Sequence, residues 1–157
     1  MKIKIRKTKD QDCRRAAHVH RSSIKVLCGP SYHQEIIDAW AGGCSAGGVR
    51  RALKRKDINN IVAEVNGIVC GVAASKNNRI WLLYVHPNWA GNGIGEKLLK
   101  RLENDMLQKN IKNISLESSK NAFNFYLRNG YIKVKRKKLV FNHGLSIACI
   151  EMKKRLR

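Results

Sequence analysis

Acidic residues are scarce in this 157-residue chain: eleven Asp and Glu stand against thirty-two Lys and Arg, a formal net charge of +21. A surplus of that size spreads a positive field over much of the surface and attracts nucleic acid, acidic proteins or an anionic ligand. The cations are dispersed along the chain, with local runs only at Lys133 to Lys138 and Lys153 to Arg157, as on a solvated basic surface. Long apolar runs are missing, so no segment reads as a membrane span. The basic start, Met1 to Lys7, has no apolar stretch behind it and does not read as a signal peptide. The five cysteines (Cys13, Cys28, Cys44, Cys70, Cys149) form no C-x-x-C pair and have no metal spacing to a histidine. Free thiols in a reducing cytoplasm are the expectation. The length and a hydrophobic fraction of 43% suit one domain, residues 1–157, with a real core.

What is present is organised around Leu82-Leu83-Tyr84-Val85-His86-Pro87-Asn88-Trp89-Ala90-Gly91-Asn92-Gly93-Ile94-Gly95. It reads as an apolar strand, a proline-marked exit, a glycine turn and a helix start. Ile94, Leu98, Leu102 and Met106 recur every four residues among charges, which predicts an amphipathic helix from about Gly93 to Lys109. The first N–H groups of a helix lack partners within it and carry the positive end of its dipole. A strand feeding such a turn is a phosphate-binding arrangement. The spacing Gly91-x-Gly93-x-Gly95 is not the dinucleotide fingerprint, and no Lys-Ser or Lys-Thr follows to make a Walker loop.

The rest of the chain alternates. Ile3 and Ile5 between charges predict a strand over Lys2 to Lys7, and a helix follows over 12–27, capped by Thr8 or Asp10 and closed by Cys28-Gly29-Pro30. A short helix over 31–40, a loop over 41–48 and one or two helical turns over 49–56 come next. Strands over 60–65 and 68–75 flank Asn66-Gly67, a strong hairpin signal. Gly71 within the second marks a bulge or a close approach. After strands over 79–85 and 112–117, Ser119 caps a short helix that Gly130 ends. Strands over 132–141 and 145–152, joined through Asn142-His143-Gly144, complete the reading.

Two stretches together resemble the GNAT superfamily of N-acetyltransferases. In that family an apolar strand ending Val-x-Pro runs into Arg/Gln-Gly-x-Gly-x-Gly/Ala at a helix start, and here Ala90 holds the first loop position. A later helix bears Ala-x-x-Phe/Leu-Tyr-x-x-x-Gly-Phe/Tyr, matched by Ala122, Phe125, Tyr126, Gly130 and Tyr131. The resemblance implies an α/β fold: a mixed, mostly antiparallel sheet of about six to seven strands flanked by helices, with one strand pair splayed apart at the cofactor. It implies acetyl-CoA as cosubstrate. The backbone of Leu83, Tyr84 and Val85 would meet the pantetheine arm. The amides of Gly91, Asn92, Gly93, Ile94, Gly95 and Glu96 would meet the pyrophosphate. Ser119 stands where the family often has a CoA-contacting Asn. The region before the first hairpin would hold the acceptor.

The activity so implied is transfer of an acetyl group to an amine by direct attack in a ternary complex. Tyr126 is the candidate general acid, because a phenol near pKa 10 is close enough to a thiol near 8.5 to return its proton. The base stays open between Glu64, His86 and Glu117. Core packing is the expectation for Trp81, and a structural role for Trp89. The net charge argues against polyamine acceptors and for a neutral or acidic one. A different class of function, a nucleic-acid- or ribosome-associated binding protein on the same scaffold, predicts steeply salt-dependent binding, although no RNA- or DNA-binding motif is visible. A non-catalytic CoA sensor is a third reading. Family members often dimerise through strands, and the sequence decides nothing on a homodimer.

Overall fold

The computed structural model describes residues 1–140 and 144–157. A seven-stranded sheet forms its centre, in the order β1-β2-β3-β4-β5-β7-β6. The strands are β1 (Ile3–Lys7), β2 (Ile58–Val65), β3 (Ile68–Lys76), β4 (Arg79–Val85), β5 (Asn113–Ser118), β6 (Ile132–Val140) and β7 (Ser146–Arg155). Every neighbouring pair is antiparallel except β4 and β5. The fold class read from the sequence is therefore the one observed. Phe141, Asn142 and His143, expected at a strand end and turn, lie outside the described residues.

Helix α4 (Ile94–Leu107) covers one face of the sheet. Its four-residue spacing buries Ile94, Leu98, Leu102 and Met106 against Ile61, Ala73, Ile80 and Leu116. Each such side chain contributes about 2 kcal/mol through the area it removes from water. Gly71 allows this helix to come close: a Cβ there would lie 2.9 Å from Leu98 and 3.0 Å from Ile94. The β2–β3 register also shifts beside it, between Ala63 and Glu64, so both expectations for Gly71 hold.

The opposite face carries α1 (Cys13–Ser23), α2 (Gln34–Gly42) and α3 (Ala46–Leu53). One π-helical turn, Ile24–Cys28, extends α1. Ala16 and Val19 of α1 pack on Val62, Val69 and Val72. Two details depart from the sequence reading. The first cap is made by Asp12, whose carboxylate accepts from the Lys9 N–H at 2.7 Å, rather than by Thr8 or Asp10. The expected loop over 41–48 is mostly helix, because α2 runs to Gly42 and the Ser45 hydroxyl accepts from the Gly48 N–H at 3.0 Å to start α3.

Three polar ties fix the flanks. Arg6 pairs with Asp12 at 2.7 Å and Glu64 at 2.8 Å, joining β1, the start of α1 and β2. Glu103, buried on α4, accepts from the Tyr131 hydroxyl at 2.9 Å and from Lys154 Nζ at 3.0 Å. Tyr32, just before α2, donates to the Ala148 carbonyl at 2.8 Å and accepts from the Lys120 N–H at 2.9 Å. The substitution Gly71→Ala is expected to destabilise the fold by about 1–3 kcal/mol through overpacking against Leu98 and Ile94, read as a lower urea midpoint with an unchanged slope.

Candidate active site

β4 leaves its hydrogen-bonded partner early. Its ladder with β5 holds only at Arg79–Ser115 and Ile80–Leu116. From there to Val85 the β5-facing edge of β4 has no strand beside it among the described residues. On the other side β4 stays paired with β3, with a register shift that leaves Trp81 as an extra residue between Ile80 and Leu82. A bulge of this kind bends a strand and re-aims a side chain. Trp81 is accordingly 44% exposed, which corrects the expectation that it packs in the core.

After Val85 the chain makes a tight turn over Pro87–Trp89. His86 closes it, with Nδ1 accepting from the Asn88 N–H at 3.1 Å. Gly91 and Gly93 follow, both with positive φ (79° and 76°), and a Cβ at either would meet nothing within 4 Å. Gly93 is the N-cap of α4 and offers no side chain to its first turn. The amides there are left bare beside open space. Gly95 has a different reason to be small: a Cβ would sit 3.3 Å from the Phe125 ring, so it lets α4 pack on the short helix α5 (Phe123–Arg128).

Two clefts meet at the gap in the sheet. The first, of about 400 Å³, contains every cofactor candidate read from the sequence except Asn92: Leu83, Tyr84, Val85, Gly91, Gly93, Ile94, Gly95, Glu96 and Ser119. Asn92 turns its side-chain amide onto the Trp89 and Ala90 carbonyls at 3.0 and 3.3 Å and so braces the loop. Arg128 and the buried Cys28 also line this cleft. Burial lifts the Cys28 thiol to about 11 despite hydrogen bonds with Asn121 and Ser119. Ser119 holds the N-cap position of its turn, but its side chain makes no cap hydrogen bond. The second cleft, of about 340 Å³, lies between Trp40, Trp81, Glu117, Leu139 and Cys149.

Leu83, Tyr84, Ser119, Ala122 and Tyr126 line both clefts. The Tyr126 ring is buried, edge-on to Phe125 at 5.1 Å and Tyr131 at 5.6 Å. Its hydroxyl makes no hydrogen bond among the described residues. Burial holds its pKa well above that of an ordinary phenol, so it keeps its proton. The three open candidates for a base separate. Glu64 is tied to Arg6, and with His86 it lines a depression outside both clefts. Glu117 lines the second cleft. Its Oε1 is held by Arg79 and, at 3.1 Å, by Lys137, and its Oε2 accepts nothing from the described residues.

Residues 28–156 match the family model described as the acetyltransferase (GNAT) domain. The chain belongs to the GNAT family of acetyltransferases. This GNAT chain superposes on a GCN5-related N-acetyltransferase from Rhodopseudomonas palustris with a TM-score of 0.91, at 26% identity, covering 99% of this chain and 97% of the other. It superposes on the PaiA N-acetyltransferase of Thermoplasma acidophilum, solved in complex with coenzyme A, with a TM-score of 0.78, at 25% identity, covering 99% of each. Among curated relatives, the uncharacterized N-acetyltransferase ycf52 of Pyropia yezoensis is 28% identical over 104 residues, 57% of this chain and 60% of that protein. The GCN5-related N-acetyltransferase 2, chloroplastic, of Arabidopsis thaliana is 36% identical over 55 residues, 35% of this chain. The matched stretch spans only 21% of that longer protein.

Sequence reasoning missed His20. It lies on α1 with its ring 4.2 Å from that of Tyr84, and burial, aided by Arg21, lowers its pKa to about 4. Only its place on the inward face of α1 could have signalled this. Because the folded value is depressed, the unfolded chain takes up a proton that the folded one refuses. Stability is then expected to fall as pH drops from about 6.5 towards 4, by up to about 1.4 kcal/mol per pH unit from this group. Urea denaturation at a series of pH values checks this: His20→Phe, which retains a ring against Tyr84, should show a shallower decline over that window.

Proposed function

We propose that this chain is an acetyl-CoA-dependent N-acetyltransferase, in which the amine attacks directly while both substrates are bound. The observation that carries the reading is the buried phenol of Tyr126, on the short helix α5, at the place where the two clefts meet and β4 and β5 part. The donor set fits a CoA group: bare amides at the start of α4, two left-handed glycines with open space above them, an unpaired edge on β4, and Arg128. In this reading the amides of 91–96 and Arg128 hold the pyrophosphate, and the backbone of Leu83, Tyr84 and Val85 holds the pantetheine arm as an added strand would be held. Acetyl-CoA supplies an acyl group already activated as a thioester.

The rest of the chemistry belongs to the protein. The two clefts bring amine and thioester together in one orientation, which supplies much of the rate. Tyr126 stays protonated up to high pH and gives its proton to the sulfur as that atom takes on charge. The burial that raises the phenol raises a thiol beside it in the same direction, so the two groups shift together. Glu117 is the carboxylate in the second cleft, and its unshared Oε2 is placed to hold the amine and receive its proton. The cytoplasm remains the compartment of the sequence reading, which rests on the scattered spacing of the five cysteines. Among the described residues no helix is long and apolar enough to cross a membrane.

Calorimetric titration with acetyl-CoA, followed by mass-spectrometric detection of acetylated amine, tests the proposal. Saturable one-site binding is expected, and Gly93→Val should abolish most of it, since a β-branched residue resists positive φ. Absence of binding beyond that of an unrelated polyanion would refute the reading. Tyr126→Phe is expected to lower kcat by about 10²–10⁴ while changing the acetyl-CoA Kd less than threefold.

A further inference from the structure

The charges around the second cleft point to the kind of amine it takes. This inference rests on the acetyltransferase reading and goes beyond it. Glu117 is the acid lining the cleft, and Arg79 and Lys137 both occupy its Oε1. The bulge in β4 turns Trp81 outward, and two more cations stand over its ring, Arg55 at 5.7 Å and Lys76 at 5.3 Å. Asp57 pairs with both of those cations, at 2.8 and 3.5 Å, and Lys135 with Glu151 at 3.9 Å beyond Lys137. Counting these groups, five cations (Arg55, Lys76, Arg79, Lys135, Lys137) face three carboxylates (Asp57, Glu117, Glu151).

A cleft so bordered repels a substrate whose charge is all positive. Glu117 has one oxygen for one amine, and among the described lining residues no second carboxylate awaits a second ammonium. A molecule that carries an anionic group near its amine meets attraction at both ends: the amine at Glu117 Oε2, the anion at the Arg79 and Lys137 border. Trp40, Trp81 and Tyr84 supply an aromatic wall for the intervening atoms. We infer that the acceptor is a primary amine with carboxylate groups close to it, and that Arg79 and Lys137 select it. A free acidic amino acid and a polypeptide beginning with acidic residues both present this chemistry.

The test compares kcat/KM, from mass-spectrometric product detection, for four acceptors: free glutamate, a peptide beginning Asp-Glu-Glu, the same peptide beginning Lys-Lys-Lys, and spermidine. At least a tenfold preference for one of the carboxylate-bearing acceptors over both cationic ones is expected, and which of the two it is identifies the source. Lys137→Glu should reduce the preference at least fivefold. Arg79→Gln, which spares the strand more, should act in the same direction. Calorimetric titration of the preferred acceptor into protein saturated with CoA gives a readout free of turnover, and its Kd should weaken in both variants. Equal or better use of the cationic acceptors would overturn the inference, as would acetyl-CoA binding with neither carboxylate-bearing amine acetylated; both leave the acetyltransferase reading standing. Failure to bind acetyl-CoA at all removes the parent reading and this one with it.

Discussion

The interruption of one hydrogen-bond ladder determines most of this molecule. A buried strand edge must find partners for its N–H and C=O groups. β4 finds them on β5 for two residue pairs only, Arg79–Ser115 and Ile80–Leu116, and then stops. Two features hold the strands apart. The extra residue at Trp81 bends β4, and the chain leaving β5 turns at once into the segment carrying Ala122 and Tyr126, which fills the base of the opening. The unpaired edge of β4 is thereby left polar, sheltered and available. The helix start beyond it adds bare amides at one end, and the gap itself lets the two clefts communicate through the sheet.

Local chemistry was legible in the sequence and long-range pairing was not. The Asn66-Gly67 hairpin, the glycine loop and the four-residue spacing of Ile94, Leu98, Leu102 and Met106 each encode their structure within a few residues, and the structure has them as read. So was the placing of Tyr126 on a short helix ended by Gly130. The outward turn of Trp81 was not legible, because a bulge depends on the register with β3, and a tryptophan on a strand has the composition of a core residue. Gly95 lines the first cleft as part of the loop, and the second reason for its size, the Phe125 ring thirty residues on, was not legible. Glu64, His86 and Glu117 were equivalent in the sequence. They separate only when the sheet places Glu117 in a cleft and leaves the other two outside.

The small number of acids acquires a meaning once they are located. Among the described residues, eight of the eleven have a cation within 4 Å: Asp10, Asp12, Asp57, Glu64, Glu103, Asp105, Glu117 and Glu151. Several are ties between elements rather than surface decoration. Glu103 links α4 to β7 from a buried position, and removing one member of such a group costs far more than an exposed pair does. The cations outnumber these ties; Arg15 and Arg21 are spent on the carbonyls of Val69 and Cys44, and most of the rest faces solvent. The positive field is thus what is left over after the acids have been committed to architecture, and salt should screen that field while barely loosening the buried ties.

The phenol of Tyr32 joins three parts of the chain at a single oxygen. It donates to β7 and accepts from Lys120, at the start of the segment that leads to Tyr126. The stretch before α2, which the sequence reading associated with the acceptor, is therefore linked mechanically to the segment bearing the proposed acid. A displacement of either stretches a hydrogen bond worth about 1 kcal/mol. That is weak enough to break on the timescale of a catalytic cycle and strong enough to bias which arrangement prevails. Tyr32 is one of several pins between these walls, together with Cys28, which meets Asn121 and Ser119, and Lys120, whose ammonium lies 5.1 Å from the centre of the Tyr32 ring.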